Sequence, residues 1–436
     1  MQFLAIYSQL ADFLVAFMAF LVAVGIVVFV HEFGHYLAAR LSGISVAVFS
    51  VGFLKPLVSW RDSRGTVWRI GMLPLGGYVK FAQAADRLQT PGDDNSDSLS
   101  RAALHHRILT VCAGPLANFV FSTFVFACLV LSVGIVSGDA VVGALKTLPG
   151  VKNEVLPGDR ITAVNGNSIS SLADLYRQSE LLDVGRPAIY SVNRAGRIVE
   201  ATGPMPMPPI IDNVRLMSAA SDAGLKSGDV VLAVDKAPIG SFGELRQAVE
   251  RAGTQPLMFD IWRNGERLSF LIAGRVEELQ LPEGGFEERV VIGVSGGLFF
   301  VPESRSPNPF DAILIGIERT YLVIDGTLNG IAAIATAQIS ACNLQGPVGI
   351  ARVSGAAATQ GGFEFISLVA IISVVIGLLN LLPIPGLDGG HLAFYIYEAL
   401  TGRAPSNGFQ RVSIALGFAL VVMLMAFGLF NDLTCT

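Results

Sequence analysis

The apolar run Phe13-Leu14-Val15-Ala16-Phe17-Met18-Ala19-Phe20-Leu21-Val22-Ala23-Val24-Gly25-Ile26-Val27-Val28-Phe29-Val30 passes without a break into His31-Glu32-Phe33-Gly34-His35. Its length approaches the ~20 apolar residues that span a bilayer core as a helix. It lacks a basic start, and its helix carries on through the histidines, so it reads as a retained span rather than a secretion signal. Residues four apart on a helix lie one above the other, so both imidazoles can reach one metal ion while Glu32 stands beside it. Two histidines and a carboxylate inside a membrane helix are costly unless they have partners and a task. That spacing suits zinc, with Glu32 as a base acting on water.

The whole chain agrees with life in lipid. Of its 436 residues 52% are hydrophobic and only 15% charged, and the mean hydropathy is +0.57, far from an ordinary soluble domain. A net charge of −5 and a pI near 5.6 leave no basic surface for nucleic acid, which demands clustered Lys and Arg. The 47 Gly and 21 Pro exclude a plain helical bundle, because such residues gather where chains turn or helices break. Cys112, Cys128, Cys342 and Cys435 form neither a metal-binding spacing nor a dense disulfide framework.

Three more spans are predicted, from Ile108 to Val136, Phe365 to Leu382 and Val412 to Phe430. Basic residues crowd the segment between the first two spans (Arg40, Lys55, Arg61, Arg64, Arg69, Lys80, Arg87, Arg101, Arg107). None precedes the first span or follows the fourth. By the excess of Lys and Arg on the cytoplasmic side, both termini face outward, as does the stretch from Gly138 to Gly362. Arg403 and Arg411, between the last two spans, agree. Cys342 and Cys435 then share the outer side and could form a disulfide; nothing in the sequence fixes their separation, and they are left free. From Phe310 to Thr336, apolar residues at helical spacing (Ile313, Ile317, Leu322, Ile324, Leu328, Ile331) predict a helix on or against the membrane.

The outer stretch contains a repeat of about 70 residues. Pro157-Gly158-Asp159-Arg160-Ile161-Thr162-Ala163-Val164-Asn165-Gly166 is echoed by Ser227-Gly228-Asp229-Val230-Val231-Leu232-Ala233-Val234-Asp235, and Arg194-Ala195-Gly196 by Arg263-Asn264-Gly265. Each copy reads as a tight Gly-Asp turn, a strand, a helix (Leu172 to Leu182; Phe242 to Arg251) and a strand pair closed at the Arg-x-Gly turn. This pattern resembles a PDZ domain, a module that captures extended peptides as an added strand. Ala223-Gly224-Leu225 precedes the turn in the second copy, whereas the first has Val155-Leu156-Pro157, which makes its peptide groove the weaker of the two.

A catalytic zinc takes three protein ligands and keeps one position open. The third candidate is Asp388 in Asn380-Leu381-Leu382-Pro383-Ile384-Pro385-Gly386-Leu387-Asp388-Gly389-Gly390-His391, at the same membrane depth as the histidines. Its prolines and glycines break the helix, and irregular backbone at that depth must be buried in protein or line a watery cavity. Asp388 as a helix cap and His391 as the ligand are the alternatives.

With these residues in hand, the chain resembles the site-2 protease family of intramembrane zinc metalloproteases, and within it the bacterial branch with tandem PDZ domains. The likeness rests on HEFGH, Gly76-Gly77-Tyr78-Val79-Lys80, Ala113-Gly114-Pro115-Leu116-Ala117-Asn118, Gly346-Pro347-Val348-Gly349-Ile350-Ala351 and NLLPIPGLDGG. It implies one Zn2+ per chain held by His31, His35 and Asp388, Glu32 as general base, and Asn380, Pro383 and Pro385 as substrate-binding residues. It also implies a membrane-dipping hairpin whose edge pairs with substrate. Val46 to Leu54 and Val67 to Met72 supply its strands, and Gly52 and Phe53 stand where the family shows Gly-Phe-Gly. Asn118 reads as a packing or helix-contact residue.

The expected architecture is a multi-pass α-helical membrane protein of about four spans with a membrane-associated β-hairpin or sheet and two inserted PDZ-like α+β domains. Its parts are the first span with the histidines (1–37), a cytoplasmic-side hairpin region (38–107) and the second span (108–136). Two PDZ-like domains (138–206 and 207–276) and a linker with an amphipathic helix (277–364) follow. The third span with the Leu-Asp-Gly motif (365–400) and the fourth span (409–431) complete it. The resemblance implies cleavage of single-span membrane proteins, such as an anti-sigma factor, at the bacterial inner membrane, with peptides at the PDZ-like domains and lipid as further partners. A catalytically silent PDZ-containing adaptor would have no need of Glu32, and a metal transporter would need ligands strung along a path rather than gathered at one depth.

Overall fold

A computed structural model describes residues 2–81, 99, 102–182, 187–281 and 285–435. Arg87 and Arg101, used above for orientation, lie outside the described residues. The chain divides into one unit of residues 1–131 and 308–436 and a second unit of residues 132–307.

The first unit holds the helices α1 (Gln2–Leu41) and α2 (Leu104–Val133). Among the described residues four helices are long and apolar enough to cross a membrane: Phe13–Leu41, Leu104–Val133, Gly362–Leu381 and Asn407–Thr434. Between α1 and α2, strands β1 (Val46–Arg61) and β2 (Val67–Phe81) pair antiparallel, but not as a simple hairpin. Val48 faces both Val67 and Lys80, and Ser50 both Arg69 and Tyr78. Each strand therefore folds back on itself, and the two make one sheet of four segments. The bend in β1 falls at Gly52, whose φ of +95° is open to glycine and strained for a residue with a Cβ. One face of this sheet packs Phe49, Val51 and Trp68 against Tyr36 and Ala39 of α1.

Apolar surface drives little helix association in lipid, so close contact there relies on small residues and hydrogen bonds. A Cβ on Gly377 would lie 3.1 Å from the Asn118 Cβ. Ser122 Oγ donates to the Ala370 carbonyl at 2.9 Å and Ser373 Oγ to the Asn118 carbonyl at 3.2 Å. The predicted third span, Phe365 to Leu382, is the helix Gly362–Leu381, which stops before Pro383; beyond the expected break a second helix, Asp388–Thr401, begins at the aspartate itself. The glycines make that join possible, since a Cβ on Gly389 would meet the Leu381 carbonyl carbon at 2.5 Å and one on Gly390 the Pro385 Cα at 2.5 Å. The helix Pro309–Ala335 buries Ala312, Gly316 and Thr320; its Val323 and Ile324 pack with Phe126, Leu129, Ala370 and Val374.

A helix not foreseen, Pro347–Gln360, lies against α1, where a Cβ on Gly355 would sit 2.6 Å from Ala16 Cα. Its N-terminus is held by Asp432 of the last helix, whose carboxylate accepts from the amides of Gly346, Val348 and Gly349 at 2.9 to 3.0 Å. A carboxylate there satisfies amides that a helix end leaves free. Asn431 Nδ2 donates to the carbonyls of Ala341 and Leu344. Next to these, Cys342 and Cys435 form a disulfide with a Cα separation of 5.6 Å, the pairing that the sequence allowed without fixing.

The second unit contains two four-stranded sheets of matching order. One runs 167–168, 160–164, 188–194, 197–203, the other 237–238, 230–234, 256–263, 266–273. Helices Leu172–Ser179 and Phe242–Ala252 each start at a capping serine, Ser171 and Ser241. The repeated Gly-Asp and Arg-x-Gly motifs turn out to be two halves of one contact. Arg194 clasps Asp159 with two hydrogen bonds of 2.8 and 2.7 Å, and Arg263 clasps Asp229 with two of 2.6 and 2.7 Å. Both carboxylates are buried, and each also accepts a backbone amide, Leu156 or Lys226. Leu298, Phe299 and Phe300, read from sequence as linker, belong to the first core together with Tyr190 and Ile161. Strand Phe300–Pro302 pairs with Val142–Leu145, while Val294–Gly296 pairs with Ile211–Val214. The second module is thus nested inside the first, whose last strand arrives only after the second is complete.

Candidate active site

His31 and His35 lie one turn apart near the end of α1, both buried, with Glu32 half-buried beside them. The Asp388 carboxylate reaches them from the start of its own helix. Asp388 Oδ2 is 3.0 Å from His31 Nε2 and 3.3 Å from His35 Nε2, and the two Nε2 atoms are 3.2 Å apart. Donors about 2.05 Å from a tetrahedral zinc stand ~3.3 Å from one another, so this triangle has the size that three zinc ligands make. Asp388 Oδ2 is buried, and among the described residues no group apart from these two imidazoles donates to it, an arrangement costly for a carboxylate that faces no cation. The residues present therefore fit a zinc ion with a fourth position left over.

The second span arranges this site through residues at intervals of four. The Thr110 carbonyl accepts from His35 Nδ1 at 2.8 Å, which leaves the lone pair of a neutral ring on Nε2. Gly114 makes room for the ring: a Cβ there would lie 2.5 Å from His35 Cε1 and 2.9 Å from Cδ2. Asn118 Nδ2 lies 3.3 Å from His31 Nδ1, so Asn118 is more than the packing residue its sequence suggested. Gly34 does for the helices what Gly114 does for the ring, since a Cβ on it would meet Ala117 Cβ at 2.7 Å and the Ala113 carbonyl carbon at 2.9 Å. Thr110 stands in none of the motifs read from the sequence, and Gly114 stands in one without a role of its own. Their signal was the stripe Thr110, Gly114, Asn118, Ser122, small or polar at helical spacing in an apolar span.

Around this centre the helix of Asp388 is anchored by Glu398, whose carboxylate accepts from Arg107 Nη1 and Nη2 of α2 at 3.0 and 2.6 Å. Arg107 also lies over the Tyr395 ring at 5.1 Å. Glycine on β2 brings the sheet to the base: a Cβ on Gly77 would lie 2.8 Å from Glu32 Cγ.

The residues expected to bind substrate are spread around this centre. Asn380 is half-buried in the last turn of its helix, Pro383 is exposed and Pro385 half-buried in the break. Pro385 backs onto the last helix, where a Cβ on Gly417 would sit 2.6 Å from the Pro385 carbonyl carbon. Gly52 sits at the bend of β1, and the exposed Phe53 ring lies over Gly76, with Cζ 2.7 Å from where a Cβ would be. His391, weighed as an alternative ligand, is not part of the converging group, which consists of His31, His35 and Asp388.

A family model described as peptidase family M50 matches residues 19–424. A protein of Agrobacterium fabrum whose name contains the words zinc metalloprotease is 34% identical, over 95% of this chain and 94% of its own. The regulator of sigma E protease of Salmonella typhi is 32% identical, and that of Escherichia coli 30%, each over 95% of this chain and 97% of its own.

Proposed function

Since this chain belongs to peptidase family M50, we propose an assignment of its residues to intramembrane proteolysis dependent on zinc. The protein is a zinc metalloprotease of the site-2 type. His31, His35 and Asp388 are the metal ligands and Glu32 is the general base. The observation that carries this is the convergence of two Nε2 atoms and one buried carboxylate oxygen from two different helices, next to Glu32. When bound, zinc supplies Lewis acidity that favours ionised water and a polarised carbonyl at neutral pH. Glu32 takes the proton of the attacking water and returns it to the amine nitrogen as the peptide bond breaks. Thr110 and Gly114 fix the ring of His35, while the Arg107–Glu398 pair fixes the helix that carries Asp388.

A helical substrate must unwind before its peptide bond can be attacked, and a free sheet edge offers backbone partners to the unwound strand. The strand at Gly77, which packs on Glu32, is suited to this. Asn380, Pro383, Pro385, Gly52 and Phe53 complete the substrate surface. The substrates are single-span membrane proteins, an anti-sigma factor among them. The two modules of the second unit are PDZ-like, take extended peptides and limit access by bulky outer domains. The protein lies in the bacterial cytoplasmic membrane with termini and modules outside, which the Cys342–Cys435 disulfide supports, since such bonds persist in oxidising compartments.

The test is cleavage of a single-span reporter by purified protein in detergent, comparing wild type with Glu32→Gln at equal zinc content. Cutting within the span by wild type, stopped by a chelator and absent in a Glu32→Gln protein that still holds zinc, is the expected result. Equal cleavage by both removes Glu32 from the mechanism.

A further inference from the structure

An imidazole that gives Nε2 to a metal must carry its proton on Nδ1, and that N–H, buried, needs an acceptor. For His35 the acceptor is the Thr110 carbonyl. For His31 the group at Nδ1 is the amide of Asn118, buried on the facing helix. Its nitrogen stands 3.3 Å away, while its oxygen is buried with no donor. The two ends of a carboxamide have nearly the same shape, so the hydrogen-bond network decides which faces which. A nitrogen facing Nδ1 would draw the lone pair there and put a hydrogen on Nε2, where it would block the metal. An oxygen facing Nδ1 accepts its N–H and frees Nε2.

We infer that Asn118 is a positioning residue that turns its amide oxygen to His31 Nδ1 and so sets the ring's tautomer for zinc. This rests on the zinc reading above. The amide is held to this task by its surroundings. The main-chain carbonyl of Asn118 accepts from Ser373 Oγ of the neighbouring helix at 3.2 Å, and Gly377 closes on its Cβ. The helix turn carrying Asn118 is therefore pinned to its neighbour, and the side chain meets His31 at a fixed distance. The two ligands of the first span are then served from the second span eight residues apart, one by a main-chain carbonyl and one by a side-chain carbonyl.

The experiment uses the full chain in detergent with two substitutions, Asn118→Leu, which fills the space without an acceptor, and Asn118→Asp, which keeps one. Zinc affinity is measured by competition with a chromophoric chelator, and the site geometry by the visible absorption of the Co2+-loaded protein. Loss of such outer partners costs about 10- to 100-fold in metal affinity. That loss is expected for Asn118→Leu with an altered Co2+ spectrum, while Asn118→Asp keeps affinity at or above wild type with the tetrahedral spectrum intact. Undiminished zinc binding by Asn118→Leu overturns the inference, as does an Asn118→Asp protein that loses zinc, a result readable even if the leucine variant does not fold. A wild-type protein with no zinc affinity refutes the zinc reading itself, and the inference with it.

Discussion

Replacing Gly114 by alanine adds one carbon at a point where the geometry leaves no room. The new Cβ would stand 2.5 Å from Cε1 and 2.9 Å from Cδ2 of His35. Carbon atoms rest about 3.5 to 4.0 Å apart, so the ring must retreat by roughly 1 Å or more. Metal sites hold their ligand distances to within about 0.2 Å, and a displacement several times larger removes His35 as a ligand. The ring has little freedom to tilt back, because Nδ1 is tied to the Thr110 carbonyl at 2.8 Å. The fold itself should bear the change at about 1 to 3 kcal/mol, the usual cost of overpacking. Zinc per chain, measured by mass spectrometry after dialysis, should fall well below one, and reporter cleavage should drop by at least ~100-fold. Gly25→Ala is the matched control, since nothing lies within 4 Å of its Cβ position. A Gly114→Ala protein with full zinc and a rate within about threefold of wild type would show that space for His35 is not what this glycine provides.

Arg107→Met leaves the Glu398 carboxylate without its bidentate partner and loosens the helix of Asp388; cleavage should fall about tenfold or more while Glu32 and the histidines stay in place, as steady-state kinetics will report. Arg263→Met strands the buried Asp229, costing the second module about 3 kcal/mol, at the low end for a broken buried pair because Arg263 keeps some contact with water; amide exchange across strands 256–273 should quicken, and the double variant with Asp229→Leu should recover part of the loss. The Arg194 guanidinium, with the Leu156 amide, holds the Asp159 carboxyl below its ordinary 3.8. A lowered folded value means that this contribution is complete above about pH 4 and fades as pH falls further, so protection of the first module should drop more steeply under acid in wild type than in Asp159→Asn. Cys342→Ser should lower stability by about 2 to 4 kcal/mol and change migration on a non-reducing gel relative to the oxidised wild type.

The zinc helix was legible because its evidence is local: an apolar run, then three ionisable side chains at one-turn spacing. Asp388 could be found because a helix broken by Pro383 and Pro385 at membrane depth needs a reason. The contributions of Thr110 and Gly114 were harder to see, one being a main-chain carbonyl and the other the absence of a side chain. The helix Pro347–Gln360 escaped notice because its inner face is built of Gly, Ala and Ser, which carry no hydrophobic rhythm. Strand Phe300–Pro302 was placed in a linker because its partners lie at Val142–Leu145, beyond any local pattern. The doubling back of β1 has a visible cause in Gly52, but which ladder partners follow depends on β2. The Asp–Arg clasps stood in the repeat as two motifs, and only the folded chain shows that they are one interaction.

The nesting of the two modules sets an order of assembly. Residues 140 to 203 emerge first yet lack Leu298, Phe299 and Phe300, which are 1%, 1% and 0% exposed in the finished core. Until those arrive, Tyr190 and Ile161 face an open cleft, and the early module is a half-built shell that invites chaperones and proteases. The inner module closes sooner, once Ile292 and the strand Val294–Gly296 have been made. A chain cut short anywhere between the two copies should therefore be recognised as unfinished, so quality control of the outer portion is built into the order in which its strands are made.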